Sequence, residues 1–131
     1  MPIIRRRGAS PDKIARRVRA NLDAIIDEET DEIVREAKQI VPVRTGALKR
    51  SIRKSERSEA RGIRGHVNAD DIVRTVSTDM PYAHLIEYGF TAGDTDVAAQ
   101  PFLGPAVRAG QRRINGRVKA LLARSVAEAK R

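Results

Sequence analysis

A stretch of nearly thirty residues without glycine or proline constrains the fold of this chain most. It follows Ser10-Pro11-Asp12, which is typical of a helix start because serine caps the first turn and proline fits the first helical position. Pro42 ends the helix, because the residue before a proline disfavours helical geometry. Apolar residues recur every three or four positions between these limits, which predicts one buried stripe: Ile14, Val18, Leu22, Ile25, Ile26, Ile33, Ala37 and Ile40.

The middle of the chain has the pattern of a short helix followed by a small sheet. Thr45 is a suitable cap for a second helix over residues 46–50. Residues 52–78 predict three antiparallel strands, of which 72–78 is the clearest because it is β-branched and partly alternating. The first two strands are basic and poor in apolar residues, which predicts an exposed face or a protruding hairpin.

A short helix and a loop follow the predicted sheet. Pro81 is suited to open this helix and Gly89 to end it after Tyr88. Residues 89–98 are rich in Gly, Thr, Asp and Ala, so we predict a loop there, with Asp94-Thr95-Asp96 as a turn.

The chain closes with a second long helix, which begins at Pro101 or Pro105. Gly110 and Gly116 weaken this helix without forbidding it. The predicted fold class is therefore α+β: a long N-terminal helix, a small antiparallel sheet of about three strands, a short helix and a long C-terminal helix. The apolar positions of the last helix are Val107, Ile114, Val118, Leu121, Leu122 and Val126.

Composition limits the chemistry open to the chain. Its 131 residues predict a single domain over 1–131, with residues 1–9 as a basic arm. It has no cysteine, so no disulfide, thiol chemistry or cysteine-bound metal is expected. No apolar run approaches the roughly 20 residues that cross a bilayer, and the N-terminus lacks the apolar stretch of a signal peptide. We expect synthesis in the cytosol and no membrane partner.

The net charge of +9 is distributed in alternating blocks. Residues 1–20 carry +6, residues 21–40 carry −5, residues 41–67 carry +6, residues 68–96 carry −5 and residues 97–131 carry +7. Blocks of this size can be complementary between neighbouring subunits, and the surplus can face polyanionic DNA. They can equally be a solvated surface that keeps the protein soluble.

The sequence indicates no catalytic or metal site. The only histidines are His66 and His84, and neither has a triad-like context. Glycine-rich phosphate loops are also absent. His84 and Glu87 lie three apart, but a hydrogen bond or ion pair by which Glu87 orients its segment is the better interpretation. We predict no enzyme activity, no cofactor and no bound metal.

Three motifs in this order resemble the neck proteins of siphophages, the small minor tail components of lambda-like long-tailed phages. They are a Pro-x-x-Thr-Gly-x-Leu corner, a Tyr-Ala-x-x-x-Glu-Tyr-Gly helix and a Gln-Pro-Phe-Leu-x-Pro-Ala entry into the last helix. The resemblance spans roughly residues 11–130. The residues that carry it are Pro42, Thr45, Gly46 and Leu48; Tyr82, Ala83, Glu87, Tyr88 and Gly89; and Gln100, Pro101, Phe102, Leu103, Pro105 and Ala106.

The resemblance implies a structural virion protein at the head–tail junction. It would form a homo-oligomeric ring that helps to join the tail to the DNA-filled head, and genomic DNA would pass non-specifically through its channel. Its other partners would be head-completion and tail-terminator proteins, and it would be made in the host cytoplasm. The motif residues from Pro42 to Phe102 would then be structural or interface positions. An acidic block (21–40 or 68–96) would meet a basic block of the next subunit.

Other functions remain open on the sequence alone. The chain can be a sequence-independent basic DNA-binding protein, a tail-terminator-type tail completion protein, or a regulatory or toxin-like module that binds another protein. Nothing suggests base reading, since no helix-turn-helix, zinc finger or aromatic stacking platform is recognised. The basic residues that would face DNA or a partner are Arg5, Arg6, Arg7, Arg53, Lys54 and Arg57.

Overall fold

The computed structural model describes residues 10–42, 46–55 and 62–130. The predicted N-terminal helix is confirmed as α1 (Pro11–Ile40). Its cap is Ser10, whose hydroxyl accepts a hydrogen bond from the main-chain N–H of Lys13 at 3.3 Å. A short helix α2 (Ala47–Ser51) follows the Pro42 corner.

The predicted three-stranded sheet is also confirmed. It consists of β1 (Arg53–Ser55), β2 (Arg64–Ala69) and β3 (Ile72–Ser77), with β3 in the centre and all pairs antiparallel. The register pairs Gly65 with Val76 and Val67 with Arg74. These four residues lie on the face that the long helices cover, because alternate residues of a strand point to the same side.

The final part of the chain contains α3 (Ala83–Tyr88), β4 (Phe90–Ala92), β5 (Thr95–Val97) and α4 (Leu103–Ala129). The prediction of a loop over 89–98 was wrong, because β4 and β5 pair into an antiparallel hairpin. Gly93, the first loop residue, has φ +64°, and a positive φ at this position is typical of a type II′ hairpin turn. Asp94 does lie in the turn, but Thr95 and Asp96 belong to β5.

The core lies between the antiparallel helices α1 and α4 and the inner face of the sheet. Phe102, Ile26, Ile33 and Ile114 are among its fully buried side chains. Helix α4 lies close to β2: a methyl group added at Gly65 would come within 2.6 Å of a Val107 methyl carbon. The predicted α+β arrangement of two long helices and a small sheet is therefore the observed one.

The predicted apolar stripes were wrong at their ends. Ile40, Leu122 and Val126 are exposed by 49%, 47% and 53%. Ile40 points away from the core although Val41, which follows it, is buried, and in α4 the core ends before the last two turns. Helical periodicity alone does not show where the partner element stops.

Candidate interaction groove

Glu87 links the second sequence motif to the third. Its carboxylate is buried and accepts hydrogen bonds from the main-chain N–H groups of Phe102, Leu103 and Gly104 at 2.8, 3.0 and 2.8 Å. These N–H groups belong to the start of α4, where a helix has donors without intrahelical partners and favours negative charge. The hydrogen-bonding interpretation of Glu87 is confirmed, and the carboxylate fixes α3 to the first turn of α4.

An apolar groove of about 540 Å³ lies beside this junction. Residues from all three motifs line it, together with the β4–β5 hairpin. The first motif contributes the Pro42 corner and the start of α2, the second contributes one side of α3, and the third contributes its glutamine. The lining residues are Pro42, Gly46, Leu48, Tyr82, Leu85, Ile86, Phe90, Val97, Ala98 and Gln100.

Gly89 sets the angle between α3 and the hairpin. Its φ of +77° is in the left-handed region that side chains rarely adopt, and an added methyl would lie 2.8 Å from the Val97 carbonyl oxygen and from the Ala99 nitrogen. The main-chain N–H of Gln100 donates to the Ile86 carbonyl at 2.8 Å. The hairpin is therefore held against α3 by its backbone, and it forms one wall of the groove.

Several large apolar side chains around the groove are exposed. Tyr82, Phe90 and Val97 are exposed by 37%, 37% and 39%, and Tyr88 by 74%. A cluster of exposed apolar residues on a small protein marks a surface that contacts another molecule. The three-residue spacing of Tyr82, Leu85 and Tyr88 would place them on one helix face. Only Tyr82 and Leu85 line the groove, because Ala83 and Glu87 form the buried side of α3 and leave Tyr88 pointing outward.

The remaining sequence-predicted residues serve the scaffold or lie elsewhere. Ala83 and Phe102 are fully buried, and Pro101 is exposed. Thr45, Arg57 and the arm residues Arg5, Arg6 and Arg7 lie outside the described residues. The sequence patterns did not indicate the groove residues Phe90 and Val97 of the hairpin, or Ala98 directly after it. The Gly-Asp pair between Phe-Thr-Ala and Thr-Asp-Val was the available signal, because it is typical of a hairpin turn.

The acidic block 21–40 is neutralised within the chain, which argues against its role as a docking face for a neighbour. All seven of its carboxylates form ion pairs inside the subunit. The partners come from the sheet, from α4 and from α1 itself: Asp23 and Asp27 pair with Arg74, Asp27 and Asp31 with Lys54, Glu28 with Arg117, Glu29 with Arg113 and Arg117, Glu36 with Arg113, and Glu32 with Arg35.

The two described basic residues that we expected to face DNA or a partner are engaged in the same way. Lys54 lies 2.7 Å from Asp31, and the hydrogen bond to this carboxylate raises the pKa of the Lys54 ammonium. Arg53 lies 3.6 Å from Asp79. Hydrogen bonds to Glu29 and to Glu28 similarly raise the pKa values of Arg113 and Arg117. These four cations are paired within the subunit.

The tip of the β4–β5 hairpin, which forms one wall of the groove, carries two acids that are not neutralised by other described residues. Asp94 and Asp96 are exposed and form no ion pair with any other described residue; Asp96 only accepts a hydrogen bond from the Thr91 hydroxyl at 2.8 Å. The second acidic block, 68–96, therefore presents charge beside the groove that remains available to a partner.

Two other properties bear on function. Within residues 10–42, 46–55 and 62–130, no three or more acidic or histidine side chains are grouped as a metal site would require. No helix in the same ranges combines the length and apolar character needed to cross a bilayer.

A protein-family comparison bears on the same part of the molecule. The family model HK97-gp10_like, described as "Bacteriophage HK97-gp10, putative tail-component", matches residues 9–89. The match includes the first two motifs and ends at Gly89, before the hairpin and α4. No curated protein and no solved structure matches the chain with significance.

Proposed function

Because this chain belongs to the HK97-gp10-like family of bacteriophage tail components, we propose that it is a structural protein of the phage neck, assembled as a ring that helps to join the tail to the DNA-filled head. The observation that carries the proposal is the groove. The three motifs that together resemble siphophage neck proteins, the first of which lies more than thirty positions before the other two, converge on one exposed apolar surface.

The occupant that we propose for the groove is a second copy of the chain. In a ring of identical subunits the contact is head-to-tail, so one face must bind a different face of the neighbour. The acids of residues 21–40 are neutralised internally, and the exposed surface of a copy is therefore rich in cations. Asp94 and Asp96, at the tip of the groove wall, supply the complementary charge.

Deletion of the gene from the phage or prophage that carries it tests the joining role. We expect electron microscopy of the lysates to reveal separate DNA-filled heads and free tails, and joined particles to return when the protein is supplied. Joined particles at normal yield without the protein would refute the neck role. Free tails of irregular length would instead support a tail-terminator role, the alternative within the same group of tail-completion proteins.

Substitution in the groove tests its role in assembly. Val97→Lys should abolish rescue of the deletion and leave the thermal stability of the isolated chain nearly unchanged, because Val97 is already partly exposed. Val73→Lys is the matched control: Val73 is a strand valine of similar exposure, 44%, and it is not among the groove residues. Equal rescue by the two variants would contradict the assignment of the groove.

A further inference from the structure

The outward side of α4 carries a line of cations. Arg108, Arg112 and Lys119 of α4, and Lys130, which caps its C-terminus, are all exposed. At 3.6 residues per turn they fall within about 40° of one another around the helix axis. The 22-residue span from the first to the last corresponds to about 33 Å at 1.5 Å per residue. We call these four residues the α4 stripe.

The stripe differs from two other cations of the same helix. Arg113 and Arg117 face α1, where Glu28, Glu29 and Glu36 neutralise them. No member of the stripe forms an ion pair with any residue in the described ranges. Arg113 and Arg117 are therefore neutralised within the subunit, whereas the four cations of the stripe remain without an ion pair to any described residue.

Within residues 10–42, 46–55 and 62–130, no acidic surface matches the stripe. The described acids without an ion pair or a helix-capping role are Asp12, Asp70, Asp94 and Asp96. They lie in three separate elements: the first turn of α1, the β2–β3 turn and the β4–β5 hairpin. A polyanion with regularly repeated charge fits a straight line of cations better, and duplex DNA carries about one charge per 1.7 Å of axis with a turn of about 34 Å.

We propose that the α4 stripe is the surface that contacts the DNA backbone, without reading its sequence. The side-chain amides next to the stripe are already engaged: Gln111 bonds to the main chain of Asn68 and to Asn115. Phosphate contacts by Arg and Lys position a protein on DNA and carry no sequence information. This inference rests on the proposed assembly around DNA, and it assigns the channel-facing surface to α4 and not to the β1 cations Arg53 and Lys54.

DNA binding by matched charge variants of the full chain tests the stripe. The stripe variant is Arg108→Gln, Arg112→Gln, Lys119→Gln. The control removes three exposed cations outside the stripe, none of which forms an ion pair with a described residue: Lys13→Gln, Arg16→Gln, Lys49→Gln. Binding is measured by fluorescence anisotropy on two 30-base-pair duplexes of different sequence over a range of salt concentrations, with circular dichroism to verify folding.

We expect the wild-type chain to bind both duplexes equally. The stripe variant should bind about tenfold or more weakly at 0.1 M salt, and its plot of log K against log salt should be shallower by about 2–3, since each phosphate contact contributes about 0.9 to the slope. The control should keep most of the slope. A second variant that preserves charge, Arg108→Lys with Arg112→Lys, should bind like the wild-type chain.

Equal losses in the stripe and control variants would overturn the assignment, because the effect would then follow net charge alone. Lack of wild-type binding at low salt would overturn it as well. Either result leaves the joining role to be decided by the deletion experiment, whose readout is particle morphology. Conversely, joined particles in the deletion would refute the neck role whatever the DNA affinities are.

Discussion

Replacement of Glu87 by alanine is expected to lower the free energy of unfolding by about 3 kcal/mol or more. A buried charged acceptor contributes about 1.5–3 kcal/mol per hydrogen bond, and its loss also leaves buried donors unpaired. Three main-chain N–H groups at the start of α4 would lose their acceptor. Urea denaturation followed by circular dichroism measures the loss, and the melting temperature should fall by about 10 °C.

Two further variants separate this role from the general loss of a carboxylate. Glu87→Gln keeps the shape and one acceptor oxygen, so its stability should lie between those of the wild-type chain and the alanine variant. Glu128→Ala removes a carboxylate whose ion pair with Arg17 is exposed, and exposed pairs contribute about 0–1 kcal/mol. A loss for Glu87→Ala no larger than that for Glu128→Ala would disprove the role of Glu87 as the cap of α4.

The same substitution should affect assembly. Glu87 does not line the groove, but its hydrogen bonds hold the middle of the third motif against α3, which forms one side of the groove. Without these bonds, α3 and the start of α4 are no longer held in the relative position that shapes the groove. Glu87→Ala is therefore expected to fail in rescue of the deletion at temperatures where Glu128→Ala succeeds.

The long helices and the sheet could be predicted from sequence because their signals are local and repeated. In α1 the apolar residues follow the helical period over thirty residues, and Ser10 and Pro42 mark its limits. In β3, β-branched residues mark a strand that is central in the sheet. Each signal comes from many residues, so a single exception such as the exposed Ile40 does not change the predicted element.

The hairpin was missed because its strands have three residues each and every one of them is exposed. Such strands have no alternation between buried and exposed positions, which is the main sequence signal of a strand. The turn Gly93-Asp94 was the only local cue. The hairpin supplies Phe90 and Val97 to the groove, and Ala98 directly follows it, so the candidate site could be predicted only in part.

The pairing of charges could not be read from the sequence for a different reason. Net charges of blocks suggested contacts between subunits, but the partners of Glu28 and Glu29 lie more than eighty positions away, on α4. The antiparallel packing of α1 against α4 brings them together. Long-range packing, and not composition, decides which charges remain available at the surface, as the contrast between Arg113 and Arg112 shows.

Gly110 and Gly116 both lie inside α4, and the sequence does not distinguish them. The structure nevertheless predicts opposite effects on stability when each is replaced by alanine. Glycine inside a helix is about 0.5–1 kcal/mol less favourable than alanine. A methyl group at Gly116 would meet nothing within 4 Å, so Gly116→Ala should raise the free energy of unfolding by about that amount. At Gly110 the added carbon would lie 2.2 Å from two side-chain carbons of Ile33 on α1.

Gly110→Ala is therefore expected to lower the free energy of unfolding by about 2 kcal/mol, since overpacking of a core costs about 1–3 kcal/mol and exceeds the gain in helix propensity. Ile33→Ala leaves a cavity at the same place, and the double variant should be more stable than the sum of the two single losses predicts, by about 1 kcal/mol or more. Denaturation of the four chains in the cycle, with Gly116→Ala alongside, measures this coupling. Equal stabilisation of both glycine variants would disprove the close contact between α1 and α4 at Ile33. The ion pairs between these helices, which leave the α4 stripe unpaired, would then be misplaced as well.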